Sequence, residues 1–178
     1  EMLRESILNE MKLNDLLGTI LLAEEGINGT ISGAGSSVDG FVEFLSVLIG
    51  SDDIDTKRST HDEVPFYRAK VKLKREIVSM GVEDIDPKET TGIRVHPVHW
   101  NNIINDPEVL VIDTRNSYEV GIGTFKDAVN PNTKSFRDFP EWAHNNINPQ
   151  KHSKVAMFCT GGIRCEKSTA YAKSIGVK

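Results

Sequence analysis

An α/β chain of two domains is predicted by three features of the sequence. Amphipathic helical runs alternate with short apolar runs over residues 1–82, and a polar stretch rich in breakers follows. Beyond it, two short apolar runs, Val109 to Ile112 and Val155 to Phe158, recur with helix and loop between them. Apolar runs of that length, bounded by turn residues, read as buried parallel strands rather than as helices. A chain of 178 residues, 38% hydrophobic, has room for one large or two small cores.

Leu3, Ile7, Leu8, Met11 and Leu16 recur at roughly helical spacing, so the chain opens with an amphipathic helix. Gly18 to Ala23 reads as a strand. Gly26-Ile27-Asn28-Gly29-Thr30-Ile31-Ser32 supplies turn chemistry and a second strand, because Asn-Gly tolerates the positive φ angles of a tight reversal. A hairpin or a close relative is the expectation. A serine cap at Ser36 or Ser37 then precedes Val38, Phe41, Leu45, Leu48 and Ile49, with Gly50 as the stop. Strands are expected around 55–60 and 67–78. Helix, strand, strand, helix, strand is a ferredoxin-like split βαβ order without its first strand. Residues 1–82 are therefore expected to form a ferredoxin-like α+β domain.

Glu83 to Gly92 is polar and carries Pro87 and Gly92, so 83–97 reads as an interdomain linker. Val98-His99-Trp100-Asn101 begins another helix, and 98–178 forms the second, α/β domain.

Composition sets the outer bounds. Charged residues make up 26% of the chain, and no apolar run approaches the length needed to cross a bilayer, so a soluble protein with no membrane partner is expected. Nothing at the N-terminus has the basic, apolar and small-residue succession of a secretory signal. Two cysteines separated by Thr160 to Arg164 match neither zinc-ligand spacing nor a disulfide framework, which favours a reducing compartment and a cytoplasmic location. The histidines His61, His96, His99, His144 and His152 show no metal-ligand grouping. No flavin motif, haem site or non-haem iron triad is evident, and no residue of this sequence reads as a metal ligand.

A net charge of −5 argues against indiscriminate nucleic-acid binding but leaves room for a local basic surface. Arg68, Lys70, Lys72 and Lys74 alternate with Ala69, Val71 and Leu73. On a strand, period two places the four cations on one face and the apolar side chains on the other. Such a stripe suits a phosphate backbone, where released counterions supply affinity. Alternating lysine on a half-exposed strand is more often a solvated face, which also protects an edge from aggregation.

The chemistry concentrates at Lys154-Val155-Ala156-Met157-Phe158-Cys159-Thr160-Gly161-Gly162-Ile163-Arg164-Cys165. A short strand delivers Cys159 into a glycine-bearing loop, and Glu166 to Ile175 reads as the helix that follows. Free backbone N–H groups and the positive end of that helix stabilise an anion, lowering a thiol pKa. A free cysteine on its own more often packs as a small hydrophobe. Here Gly161 and Gly162 let the backbone turn its amides inward, and Arg164 adds a fixed positive charge. Cys165, in the first helical turn, suits core packing or a second thiol. Only Thr160, Gly161, Gly162 and Ile163 separate Cys159 from Arg164, one residue fewer than in the phosphate-holding loop of cysteine-dependent phosphatases. The smaller ring suits a terminal sulfur better than a tetrahedral phosphate.

That loop resembles the active-site loop of rhodanese-type sulfurtransferases, which form a cysteine persulfide. A second segment is similar to the rhodanese opening: Val109-Leu110-Val111-Ile112-Asp113-Thr114-Arg115, then Tyr118-Glu119, Gly123-Thr124-Phe125 and Ala128-Val129-Asn130-Pro131. Asp113 and Arg115 read as a structural ion pair at a strand end. A complete rhodanese fold needs another strand and helix after Ile175-Gly176-Val177-Lys178, so the chain is expected to be shortened at both ends. Gly18 to Thr30, Pro65-Phe66 to Lys74, and Cys159 to Lys167 together resemble the oxygen-dependent tRNA uridine hydroxylases that carry a rhodanese domain. The resemblance implies 5-hydroxyuridine formation at the wobble position of certain tRNAs, with dioxygen as co-substrate, an unidentified reductant and Cys159 as the active-site residue. It further implies a tRNA partner, which the basic stripe would hold. Oligomeric state is not legible. The alternative is a rhodanese-type sulfurtransferase carrying a persulfide on Cys159.

Overall fold

The computed structural model describes residues 1–52 and 54–177. They form a mixed α/β fold of two compact units, 1–77 and 78–178, each with its own small sheet.

The first unit runs α1 (Met2–Leu13), β1 (Leu17–Ala23), β2 (Gly26–Ser32), α2 (Gly35–Ile49) and β3 (Ala69–Leu73). Its sheet order is β2-β1-β3, with β1 antiparallel to β2 and parallel to β3. Alternate residues of β1 are buried, and Ile20 and Leu22 meet Ile7 and Met11 of α1, Phe41 and Leu45 of α2, and Val71 of β3. The period-two and helical spacings of the sequence thus converge on one core.

Four details depart from expectation. The hairpin reverses at Glu24-Glu25, since Ala23 pairs with Gly26, and Asn28-Gly29 lies within β2. Gly29 is needed there for close approach: a Cβ would sit 2.4 Å from the Thr19 carbonyl oxygen. Helix α2 starts at Gly35 with Ala34 as its N-cap and no side-chain cap, so neither Ser36 nor Ser37 serves. Gly50 does end it, at φ 66°, with Ser51 N–H donating to the Ser46 carbonyl. Residues 55–60 form no strand and are exposed, because nothing in Asp55-Thr56-Lys57-Arg58-Ser59-Thr60 can anchor to an apolar core. The strand expected over 67–78 contracts to Ala69–Leu73.

The second unit runs α3 (Pro97–Ile104), β4 (Val109–Asp113), α4 (Ser117–Val120), a single 3₁₀ turn over Phe136–Asp138, α5 (Phe139–Asn146), β5 (Lys154–Phe158) and α6 (Ile163–Ser174). β4 and β5 pair in parallel from Val109↔Lys154 to Asp113↔Phe158, and Val129 adds a bridge to Ile112. This register puts the last residues of both strands side by side, so whatever follows Asp113 and Phe158 is brought together at one sheet edge. Ile112 and Met157 join Phe136, Phe139, Ala143, Ile147 and Ala172 in the core.

The boundary falls at Ile77/Val78, ahead of the expected end at 82. The stretch 83–97, expected as a linker, is tied to the second unit: Ile85 packs on its core, Gly92 N–H donates to Thr169 Oγ1 at 2.9 Å, and Arg94 pairs with Glu166 at 2.9 Å. Its polar residues meet α6, a role that composition alone does not distinguish from solvent exposure. No helix among the described residues is long and apolar enough to cross a membrane.

Candidate active site

Cys159 leaves the end of β5, and α6 starts at Ile163, so Thr160, Gly161 and Gly162 make the turn. Gly162 takes φ 88°, a left-handed conformation that directs its N–H back to the sulfur. Gly162 N lies 3.0 Å from Cys159 Sγ. The Cys165 thiol donates to the same sulfur and is the largest influence on it; burial opposes ionisation, and the N–H groups of Cys165, Gly162 and Gly161 favour it. The balance brings the Cys159 pKa down to about 5. Cys165 moves the other way: holding its proton toward Cys159, and partly buried, it has a pKa above the ordinary thiol range. Cys165 also packs beside the core and lies 3.8 Å from Thr114 Oγ1. Packing and sulfur contact are thus one arrangement.

α6 begins at Ile163, ahead of the expected Glu166, which places Ile163, Arg164 and Cys165 in its first turn. The Arg164 guanidinium turns to Glu119, with Nη1 2.5 Å from Oε2 and Nη2 2.7 Å from Oε1. Thr160 Oγ1 donates to Glu119 Oε1 at 2.8 Å, and Asn116 N–H to Oε2 at 3.2 Å. Both charged side chains are largely buried, Arg164 at 15% exposure and Glu119 at 14%. Arg164 foremost, then Thr160 and the Asn116 amide, hold the Glu119 carboxyl at about 2 against the opposing effect of burial. Arg164 is correspondingly raised, by Glu119 first and by the negative Cys159 as well.

A second ion pair lies at the end of β4. Asp113, fully buried, accepts from Arg115 N–H at 3.1 Å, Arg115 Nε at 2.9 Å, Arg115 Nη2 at 2.6 Å and Thr124 Oγ1 at 2.8 Å. Arg115 Nη2 also donates to the Gly123 carbonyl at 2.5 Å, and its guanidinium lies 5.7 Å from the Phe158 ring centroid. Phe158 packs edge-on against Phe125 and Trp100. This pair secures the 113–125 segment to the strand that delivers Cys159.

The sequence-predicted residues thus divide. Cys159, Gly161, Gly162 and Arg164 meet at the sulfur, Thr160 and Arg164 meet at Glu119, and Ile163 opens the helix. Arg68, Lys70, Lys72 and Lys74 belong to the other unit, on or beside the edge strand β3. Arg68, Lys72 and Lys74 are exposed, and Lys70 is half-buried with its pKa lowered by desolvation, then by Arg68 and Lys72. Val71 is buried between them, as period two requires, although Leu73 is 51% exposed. His61 makes a local turn with Glu63, His96 caps α3, and His152 accepts from Asn148 N–H. Among the described residues no group of three or more His, Cys, Asp or Glu side chains is placed to hold a metal ion.

Residues 1–77 match the family model of the UPF0176 acylphosphatase like domain. The match ends at Ile77, where the first compact unit also ends. The UPF0176-type domain therefore carries the basic strand, and the unit beyond it carries the cysteine loop.

Glu119 is the site residue that sequence reasoning did not assign. Its only signal was its place in the Tyr118-Glu119 step of the opening segment, with no partner nearby in sequence. Arg164 lies forty-five positions away, and only the β4·β5 register joins them.

Proposed function

We propose that this protein modifies tRNA in the cytoplasm, hydroxylating the wobble uridine to 5-hydroxyuridine through Cys159, with the rhodanese-like second unit bearing the sulfur and the ferredoxin-like UPF0176-type domain holding the RNA. One observation carries the chemistry: a half-buried sulfur that accepts from the Gly162 amide at 3.0 Å and whose pKa lies near 5. Such a sulfur is thiolate at neutral pH and nucleophilic. The family match of residues 1–77 supports the tRNA-modification reading at the level of the family.

In this reading Cys159 Sγ adds to C6 of the uracil ring and places electron density on C5, the carbon to be oxidised. Overall, uridine, dioxygen, two electrons and two protons give 5-hydroxyuridine and water, with the electrons from a separate reductant. The chain's own part is to hold the anion with the Gly161, Gly162 and Cys165 amides and to keep the loop in shape through Arg164 and Glu119. The basic side chains at Arg68, Lys70, Lys72 and Lys74 bind tRNA phosphates, and a splayed wobble base reaches the sulfur as in other enzymes that act on an unstacked base.

A second reading, sulfur transfer through a Cys159 persulfide, is favoured by the small ring: amides converging on a single sulfur fit a terminal sulfur atom. Nucleoside mass spectrometry of tRNA separates the two. In cells lacking other routes to 5-hydroxyuridine, the native protein should restore the nucleoside and Cys159→Ala should not. Full 5-hydroxyuridine with Cys159→Ala would refute the hydroxylase reading. A native protein that acquires a persulfide yet restores none would favour sulfur transfer.

A further inference from the structure

Two thiols share the site, and the chemistry proposed above uses only one of them. The chain carries two cysteines, both free. Cys165 reaches the Cys159 sulfur with its backbone N–H and with its thiol, because α6 begins at Ile163 and turns Cys165 back towards the end of β5. A disulfide requires the sulfurs to close from that contact to about 2 Å. Gly161-Gly162 can absorb the movement, since a Cβ at either position would meet nothing within 4 Å.

Charge sets the order in which the two sulfurs react. While Cys159 is a thiolate, Cys165 keeps its proton, first because that proton is donated to Cys159, then through burial and through the negative charge beside it. Thr114, 3.8 Å away, and Arg164 act in the opposite sense. Oxidation of Cys159 removes the thiolate, and the first and third of these restraints go with it. Thr114 and Arg164 remain, so the second thiol becomes easier to ionise once the first has reacted.

We propose that Cys159 and Cys165 form a redox site for hydroperoxides, in which Cys159 is oxidised and Cys165 resolves it as an intramolecular disulfide. The Cys159 thiolate attacks the terminal peroxide oxygen: an S–O bond forms, the O–O bond breaks, and the displaced oxygen takes a proton from solvent and leaves as water or an alcohol. Cys165 then gives up its proton and its sulfur bonds to Cys159 Sγ, and the hydroxyl leaves with a proton as water. The two sulfurs together lose two electrons, which the peroxide oxygens accept. This site needs a reactive Cys159 but no tRNA chemistry.

Peptide mass spectrometry after a stoichiometric dose of hydrogen peroxide tests it, with dimedone present to trap sulfenic acid and N-ethylmaleimide added to label remaining thiols. In the native protein Cys159 and Cys165 should both escape labelling, joined within one chain, and dithiothreitol should restore both. Cys165→Ser should instead carry dimedone on Cys159, and excess peroxide should drive several-fold more of its Cys159 to the sulfinic acid, which dithiothreitol does not reverse. Dimedone on native Cys159 with Cys165 still free, or a disulfide between two chains, would overturn the proposal. The native result decides even where the variant does not fold. Both thiols left intact at a dose that oxidises glutathione would refute the reactive sulfur, and this site with it. A disulfide that forms in a protein restoring no 5-hydroxyuridine would support the redox site and count against the hydroxylase reading alone.

Discussion

Arg115 and Arg164 each fork a carboxylate with two nitrogens, yet the two pairs are built differently. Arg115 reaches Asp113 two residues away, and the acceptor is entirely removed from solvent. Arg164 reaches Glu119 across forty-five positions, and both side chains keep some exposure. The first pair is made by one strand end and anchors the 123–125 segment to it through Thr124 Oγ1 and the Gly123 carbonyl. The second exists only once β4 and β5 are in register, and it fixes the loop that follows Cys159. The contrast separates a pair that holds the scaffold from one that holds the loop beside the sulfur.

Truncating the buried acceptor should have the largest effect. Asp113→Ala leaves Arg115 without its partner in a largely dry position and should cost about 3–5 kcal/mol in urea unfolding. A loss below about 1 kcal/mol would mean the pair does not hold the scaffold. Glu119→Ala should cost less, about 1.5–3 kcal/mol, because its charged hydrogen bonds lie nearer to solvent. Its pH dependence has a definite sign. The Glu119 pKa is depressed to about 2 from 4.5, so its contribution is fully present above pH 4.5 and is lost as pH falls towards 2. The stability gap between native protein and Glu119→Gln should therefore close across that interval; a gap that persists at pH 2 would contradict the ion pair as its source.

Smaller still, Thr160→Val removes one exposed hydroxyl from Glu119 and should cost less than about 1 kcal/mol, seen as a modest shift of the unfolding midpoint. The basic strand supplies the control. Neutralising Arg68, Lys70, Lys72 and Lys74 touches neither ion pair and should change stability by about 0.5 kcal/mol or less per site. The same change should flatten the salt dependence of tRNA binding by roughly 0.7 to 0.9 for each phosphate that is no longer neutralised. An unaltered salt slope would remove the stripe from the RNA-binding account.

The same contrast explains what could be read from the sequence. Asp113 and Arg115 were legible as a pair because their partnership is local, and Cys159 with Gly161 and Gly162 was legible because a loop of consecutive residues makes the cradle. β1, α2, β4 and β5 showed through periodicity and through the Gly50 stop, each a matter of near neighbours. Glu119 was not legible, since its partner is set by strand register rather than by spacing. Nor was the engagement of Cys165 with Cys159, because a helix starting at Ile163 rather than Glu166 is decided by how Gly162 turns. In the first unit, Asn28-Gly29 carried a strong turn signal, yet close packing under Thr19 and Ile20 placed it mid-strand and left the reversal to Glu24-Glu25. Local chemistry was outweighed there by tertiary packing.

Whether Cys159 Sγ is ionised at neutral pH is read from the pH dependence of its alkylation by iodoacetamide. The rate should reach half its plateau near pH 5 and stay flat through neutrality. A rate that climbs only near the ordinary thiol range, about pH 8.5, would contradict an ionised Cys159.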